Sequence, residues 1–228
     1  MATNQLLVFS VDPISGRLFG AHNMPSGKGH VLRLALFDLS DNRLIGVGGG
    51  PASEVAIAPG GEQGAIVGQD GQVSIIDLAS GAVLRHIVAN NNSVDQIAWS
   101  ADGKRVATGT AAIGFGLDRA TGKYGPLVDK NLLQLWDAKT GQQIASATQI
   151  EDGVASIDFS RDGRWMAVAD THGDVHLFEP NGLRYIGKAA SEKEPMTVRV
   201  RFSPNSKKLA RLRTRATSIT IDQLDTAP

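Results

Sequence analysis

Apolar runs of four to seven residues, bounded by Gly, Asp, Asn, Ser and Pro, follow one another along the whole chain. That pattern predicts short strands joined by tight turns rather than helices. It also recurs in phase. An apolar strand, a Ser or Ala, a turn and a second apolar strand read VFSVDPISGRLFG from Val8, AIAPGGEQGAIVG from Ala56, IAWSADGKRVATG from Ile97, IDFSRDGRWMAVA from Ile157 and VRFSPNSKKLARL from Val200. A second marker, a bulky apolar residue followed by an acid, closes each copy: Phe37-Asp38, Ile76-Asp77, Trp136-Asp137, Phe178-Glu179 and, more weakly, Ile221-Asp222. The acids are spaced by 39, 60, 42 and 43 residues. A period near forty with one enlarged step is the signature of a repeat architecture.

Within the third copy the strands are expected at 94–99, 105–110, 132–136 and 142–147. Four strands in about forty residues make one blade of a β-propeller. Asp102-Gly103 and Asp162-Gly163 between the first two strands, and Asp70-Gly71 and His172-Gly173 between the second and third, supply residues that tolerate positive φ, so each marks a hairpin. The expected fold is all-β, a single domain over 1–228 with about five four-stranded blades at 5–50, 52–90, 93–149, 154–190 and 196–224. The fifth blade has room for three strands, at 197–202, 209–214 and 218–224, and is incomplete. Because 6–10 is already the first strand of blade one, the pattern predicts an open or partial ring.

The third copy, IAWSADGKRVATGT followed by NLLQLWDAKTGQQIASA, resembles the WD-repeat (Trp-Asp repeat) family of β-propellers, and the resemblance extends over nearly the whole chain. GQDGQVSIIDLASGAVL and THGDVHLFEPNG keep the spacing but replace the Trp. The Gly-His pair that opens a family repeat is absent, so the repeats are divergent, in the manner of bacterial members. In the family a His, an Asp, a Ser or Thr and the Trp form a buried hydrogen-bonded network. Thr108 and Trp136 are candidate remnants of it, and Asp70 matches the turn Asp. Lactonase-like and quinoprotein propellers share four-stranded blades, but spacing near forty and the Ser-x-Asp-Gly turns favour the WD type.

Three features depart from the repeat. Segments 22–30 and 111–130 lengthen the connection between second and third strands in blades one and three, and read as loops on one face of the disc, the face on which WD proteins commonly bind partners. Long loops on a rigid scaffold carry function, so Phe115, Tyr124 and Leu127 are candidate protein-binding anchors, with Asp118, Arg119 and Lys123 as rim charges. In the last blade Arg211, Arg213 and Arg215 alternate with Ala210, Leu212 and Thr214, which predicts one basic face. Burying unpaired guanidinium groups is costly, so that face is expected to be solvated or to dock an acidic partner.

The chain has 228 residues and balanced charge, 23 cations against 23 acids, so the whole-molecule field draws neither nucleic acid nor membrane. The balance is local: residues 196–228 carry seven cations against two acids. No aromatics interleave with those cations, which disfavours single-stranded nucleic acid as the partner. The absence of cysteine excludes disulfides, thiolate metal sites and a thiol nucleophile. The start, MATNQLLVFSVDP, lacks a basic n-region, and no apolar run is long enough to span a bilayer, so a cytoplasmic protein is expected.

Catalytic motifs are missing. No Gly-x-Ser-x-Gly, Walker loop or His-Glu-x-x-His occurs, and Gly48-Gly49-Gly50 runs into a Pro rather than a helix. His172 and His176 would lie about 13 Å apart along an extended strand, too far to share one zinc. The recurrent acids are expected to stabilise turns. With no cofactor or metal implied, the sequence points to a non-enzymatic scaffold for protein–protein interaction. The alternatives are a sensor propeller within a larger multidomain protein and, with less support, a lactonase-like or quinoprotein-like enzyme. A protein partner, a second copy or another chain is expected to complete the propeller.

Overall fold

The computed structural model describes residues 6–12, 16–26, 29–40, 43–46, 52–68, 72–87, 94–110, 114–117, 124–127, 132–150, 153–190, 198–213 and 219–223. All regular structure in them is β-strand. The first sheet contains β1 (Leu6–Asp12), β2 (Arg17–Ser26), β3 (Gly29–Asp38) and β4 (Arg43–Gly46), and the second β5 (Ala52–Ile57), β6 (Gln63–Gly68), β7 (Val73–Asp77) and β8 (Val83–Ile87). The third begins with β9 (Gln96–Trp99) and β10 (Arg105–Gly109). After a separate hairpin, β11 (Gly114–Leu117) and β12 (Tyr124–Leu127), it is completed by β13 (Leu133–Asp137) and β14 (Gln143–Ala147). The fourth consists of β15 (Val154–Phe159), β16 (Met166–Asp170), β17 (Val175–Glu179) and β18 (Arg184–Ala190). The fifth has three strands, β19 (Val198–Phe202), β20 (Lys208–Arg213) and β21 (Ile219–Gln223). Four antiparallel sheets of four strands and one of three are the expected blades with an incomplete last member.

The turns are built from side chains that the repeat places at fixed offsets. The Ser100 hydroxyl donates to Asp102 Oδ1 at 2.6 Å and accepts the Arg105 N–H at 3.0 Å, while the same Asp oxygen accepts the Lys104 N–H at 3.0 Å. Ser160 and Asp162 repeat this arrangement, and Ser203 and Asn205 do so again. Gly103 and Gly163 follow with φ of +69° and +71°, a conformation that glycine adopts without a Cβ penalty. In the fifth sheet Ser206 occupies that place at φ +60°.

Within the two long connections the described residues pair as strands. The β2–β3 ladder runs without interruption from Arg17 opposite Asp38 to Ser26 opposite Gly29, so segment 22–30 is the outer half of a long hairpin. In the larger insertion β11 and β12 pair from Gly114 opposite Leu127 to Leu117 opposite Tyr124. Strand pairing satisfies backbone N–H and C=O groups that an irregular loop would leave to water.

Neighbouring sheets pack through their first strands, β1 on β5, β5 on β9, β9 on β15 and β15 on β19. No comparable strand contact joins the first sheet to the fifth among the described residues. The core lies between sheets. Val67, Ile75 and Ile87 of the second meet Ile97, Trp99 and Trp136 of the third, and Leu133 and Leu135 of the third meet Ile157, Met166 and Phe178 of the fourth. The Trp99 indole N–H donates to the Ala56 carbonyl at 3.2 Å, tying third sheet to second. At Gly109 the third sheet packs tightly on the fourth: a Cβ there would lie 2.4 Å from Val154 Cγ1.

Candidate functional site

Residues directly opposite in an antiparallel sheet share a face, and alternate residues along a strand change face. In the fifth sheet the register sets Val200 opposite Arg211 and Phe202 opposite Leu209 on one side, and Arg211 opposite Thr220 and Leu209 opposite Asp222 on the other. These six residues therefore form one face. Val200 and Leu209 on it are fully buried against Ala167, Ala169 and Val175 of the fourth sheet. The other face carries Arg199, Arg201, Lys208, Ala210, Leu212, Ile219 and Ile221. Among the described residues its aliphatic side chains are uncovered: Leu212 is 44%, Ile219 62% and Ile221 63% exposed.

For Arg211 this departs from the expectation of a solvated or partner-docking basic face. Arg211 lies on the covered side, only 11% exposed, with its guanidinium on Asp222 through Nε to Oδ2 and through Nη2 to Oδ1 at 3.0 Å. The basic stripe read from the alternation thus begins with an arginine neutralised inside the protein, and the exposed stripe is the aliphatic one. The reason is register, since the face that meets the fourth sheet is set by Val200 and Leu209, and Arg211 shares it. Arg213 stands on β20 opposite Val198; Arg215 lies outside the described residues. The exposed cations of this sheet come instead from β19 and the start of β20, as Arg199, Arg201 and Lys208.

Of the candidate loop residues, Phe115 and Tyr124 stand on the β11–β12 hairpin opposite Pro126 and Leu117, and Leu127 opposite Gly114. Asp118, Arg119 and Lys123 lie outside the described residues, as do Asp70 and Gly71.

First strands converging from three sheets bring charges together at the centre. The Asp158 carboxyl accepts the Phe202 N–H at 2.6 Å and lies 4.0 Å from Arg201. Burial pushes its pKa up to about 6, against the pull of Arg201 and of the N–H bonds from Phe202 and Phe159. Glu54 of the second sheet is also raised by burial, against the attraction of Arg199 and Arg201 of the fifth. A residue of sheet two that feels two residues of sheet five faces them across the middle of the array. In both, burial outweighs the attraction of the guanidinium groups.

The recurrent acids are local supports. Asp77 accepts the Ser80 hydroxyl and N–H at 2.6 and 2.7 Å, and Asp137 accepts the Thr140 N–H and hydroxyl at 2.7 and 2.9 Å. Those bonds hold both carboxyls below their ordinary range. Asp38 does the same work with Ser40, at 2.9 Å from its N–H. Glu179 instead pairs with Arg184 at 2.6 Å, and Asp222 with Arg211. The Trp136 indole N–H donates to Thr108 Oγ1 at 2.8 Å in full burial, so the two remnants named from the sequence do form one bond.

Sequence reasoning missed one cluster. His176 Nε2 lies 2.9 Å from Asp170 Oδ2, both side chains being about 5% exposed or less. His176 Nδ1 lies 3.4 Å from the Tyr185 hydroxyl. Asp170 Oδ1 accepts the N–H groups of His172 and Asp174, and Lys188 contacts Asp174. Donor atoms of Asp170, Asp174 and His176 lie within 4.8 Å of one another, so these three could hold a metal ion; His172 stands apart and exposed. Lys188 already supplies a cation to Asp174, and the group is a closed network as it stands. The available signal was a polar residue inside an apolar third strand, two positions after an acid-bearing turn.

Residues 141–179 match the family model of the WD domain, G-beta repeat. Within those residues the chain carries a WD repeat. The matched stretch starts just before β14, the last strand of the third sheet, and ends with β17, the third strand of the fourth, so the WD repeat is offset from the sheet by one strand. No curated protein matches the chain in sequence. Among solved structures, the crystal structure of the computationally designed Ika4 protein aligns with a TM-score of 0.59 at 12% identity, covering 78% of this chain and 95% of that one. At that identity the likeness shows the fold alone. Among the described residues no helix of the WD-repeat chain is long and apolar enough to cross a membrane.

Proposed function

We propose that this WD-repeat chain is a non-enzymatic scaffold that holds protein partners. The observation that carries the reading is the uncovered face of the fifth sheet. Leu212, Ile219 and Ile221 stand in water there at 44–63% exposure, while the corresponding apolar residues of the second to fourth sheets are packed between neighbours. A contiguous exposed aliphatic patch rimmed by cations is the character of a protein-binding surface. The β11–β12 hairpin, with Phe115, Tyr124 and Leu127 and the flanking Asp118, Arg119 and Lys123, is a second contact region in this reading.

The test is a pull-down from the native source with the unaltered chain and with the Leu212→Ser, Ile219→Ser, Ile221→Ser variant. Loss of a stoichiometric protein from the variant, at an unchanged far-ultraviolet spectrum, is expected. Equal capture by both overturns the reading for this face. Deletion of 114–127 tests the hairpin in the same assay.

A further inference from the structure

We propose that the hairpin joining β16 to β17 binds a divalent zinc ion through Asp170, Asp174 and His176, in exchange for the ammonium group of Lys188. The site is separate from the surfaces of the scaffold reading and goes beyond that reading.

The hairpin itself does not require these three side chains. One backbone bond closes the second and third strands alike in three sheets: Gly68 N–H to the Gln72 carbonyl at 2.8 Å, Thr110 N–H to Leu132 at 2.9 Å and Asp170 N–H to Asp174 at 2.9 Å. The register then sets Ser74 opposite Ile66, Gln134 opposite Thr108 and His176 opposite Val168. At the matching places the second sheet has Gly68, Gln72 and Ser74, and the third Thr110, Leu132 and Gln134. Neither set holds a carboxylate or an imidazole. The fourth sheet alone of these three brings two carboxylates and an imidazole together.

Their geometry fits a metal. The three donor atoms lie within 4.8 Å of one another, and donors around a tetrahedral zinc at about 2.1 Å are roughly 3.4 Å apart. Asp170 and His176 are buried, and each is aimed by its other polar atom. Asp170 Oδ1 accepts the N–H groups of His172 at 3.0 Å and Asp174 at 2.9 Å, and His176 Nδ1 lies 3.4 Å from the Tyr185 hydroxyl. Ligating carboxylates and imidazoles are oriented in this way by groups behind them. Oδ2 and Nε2 are left facing each other at 2.9 Å.

Lys188 is the group an ion must displace. Its side chain is 50% exposed and that of Asp174 16%, so the ammonium can withdraw into water on its flexible stem. Two carboxylates neutralise a divalent ion. A nitrogen among only three donors suits a four-coordinate ion completed by water, not calcium or magnesium, which favour larger oxygen shells.

Zinc alone is the probe, titrated calorimetrically into the full chain, with cobalt as its spectroscopic stand-in. One zinc per chain is expected, with a raised Tm and, for cobalt, the visible band of a four-coordinate ion. Asp174→Asn should weaken zinc binding at least about tenfold, and Lys188→Met should tighten it by a similar factor because no ammonium has to leave. Both variants alter partly exposed side chains, and an unchanged far-ultraviolet spectrum confirms their folding. His172→Ala should bind as the unaltered chain does. Absence of stoichiometric zinc binding by the unaltered chain overturns the proposal, as does equal affinity of the Asp174→Asn variant or loss of binding in His172→Ala. Unchanged or weaker binding by Lys188→Met overturns the exchange with Lys188.

Discussion

Phe178 and Ile221 each stand just before the acid near the end of a third strand, but the register sets Phe178 opposite Met166 and Ile221 opposite Ala210, on opposite faces of their sheets. Phe178 is fully buried and Ile221 is 63% exposed. Their local surroundings are built alike, with a Ser-x-Asp or Ser-x-Asn turn at the head of each sheet and an acid following. What separates them is the face each takes and whether a neighbour covers it. The fourth sheet is packed on both faces, by the third and by the fifth, and all five residues of β16 are buried. The fifth is packed on one face, so along β20 Leu209 is buried while Leu212 is not. One repeat motif therefore yields either a core residue or an exposed surface according to the face it takes and what covers that face, and the second case is where binding can occur.

Substitutions can break that comparison, and the largest effect belongs to the covered sheet. Phe178→Ala should cost about 3–5 kcal/mol in denaturant unfolding, whereas Ile221→Ala should stay within about 0.5 kcal/mol. Similar losses at the two positions would mean that the fifth sheet is covered in solution.

The seam between these sheets should respond to pH. Asp158 is raised from 3.8 to about 6, so the folded state keeps its proton in a window where the unfolded chain has lost it. Folding takes up a proton there, and stability should fall as pH rises from about 4 through 6, by up to about 3 kcal/mol at roughly 1.4 per unit. Asp158→Asn should flatten that slope while keeping an oxygen to accept the Phe202 N–H; an unchanged slope would remove Asp158 as its cause.

Gly109→Ala presses a methyl into Val154 across the seam between the third and fourth sheets. The overpacking should cost about 1–3 kcal/mol, read as a lowered Tm; no shift would show that the seam can open. Trp136→Phe removes the indole donor to Thr108 and should cost about 1–2 kcal/mol, with the Thr108→Val, Trp136→Phe pair losing less than the sum of the single changes. Smallest of all, Ile219→Ser and Ile221→Ser should leave stability within about 0.5 kcal/mol each while abolishing partner binding.

Much of the architecture was legible because it repeats. The two Ser-x-Asp-Gly turns reappear as hydrogen bonds at the same offsets, as do the acids Asp77 and Asp137 of the apolar-acid pairs, and the three-strand last sheet followed from counting strands. Thr108 and Trp136 were legible as a pair because both stand at repeat positions. The strand pairings of 22–26 with 29–33 and of 114–117 with 124–127 were not, because they depend on cross-strand partners rather than on a local turn signal. The Asp170–His176 bond was hidden for a similar reason, since a hairpin brings together residues six apart that a one-dimensional distance sets far from each other.

The sequence by itself determined the strands, their turns and their order, because those follow from period-two alternation and from residues acting within a few positions of themselves. Which face of the last sheet looks outward was decided only in three dimensions. Alternation distinguishes two faces, Arg211 on one and Leu212 on the other, but it carries no information about which of them the neighbouring sheet will cover. Val200 and Leu209 packing on the fourth sheet, with Asp222 there to neutralise Arg211, made that choice and left the aliphatic face exposed.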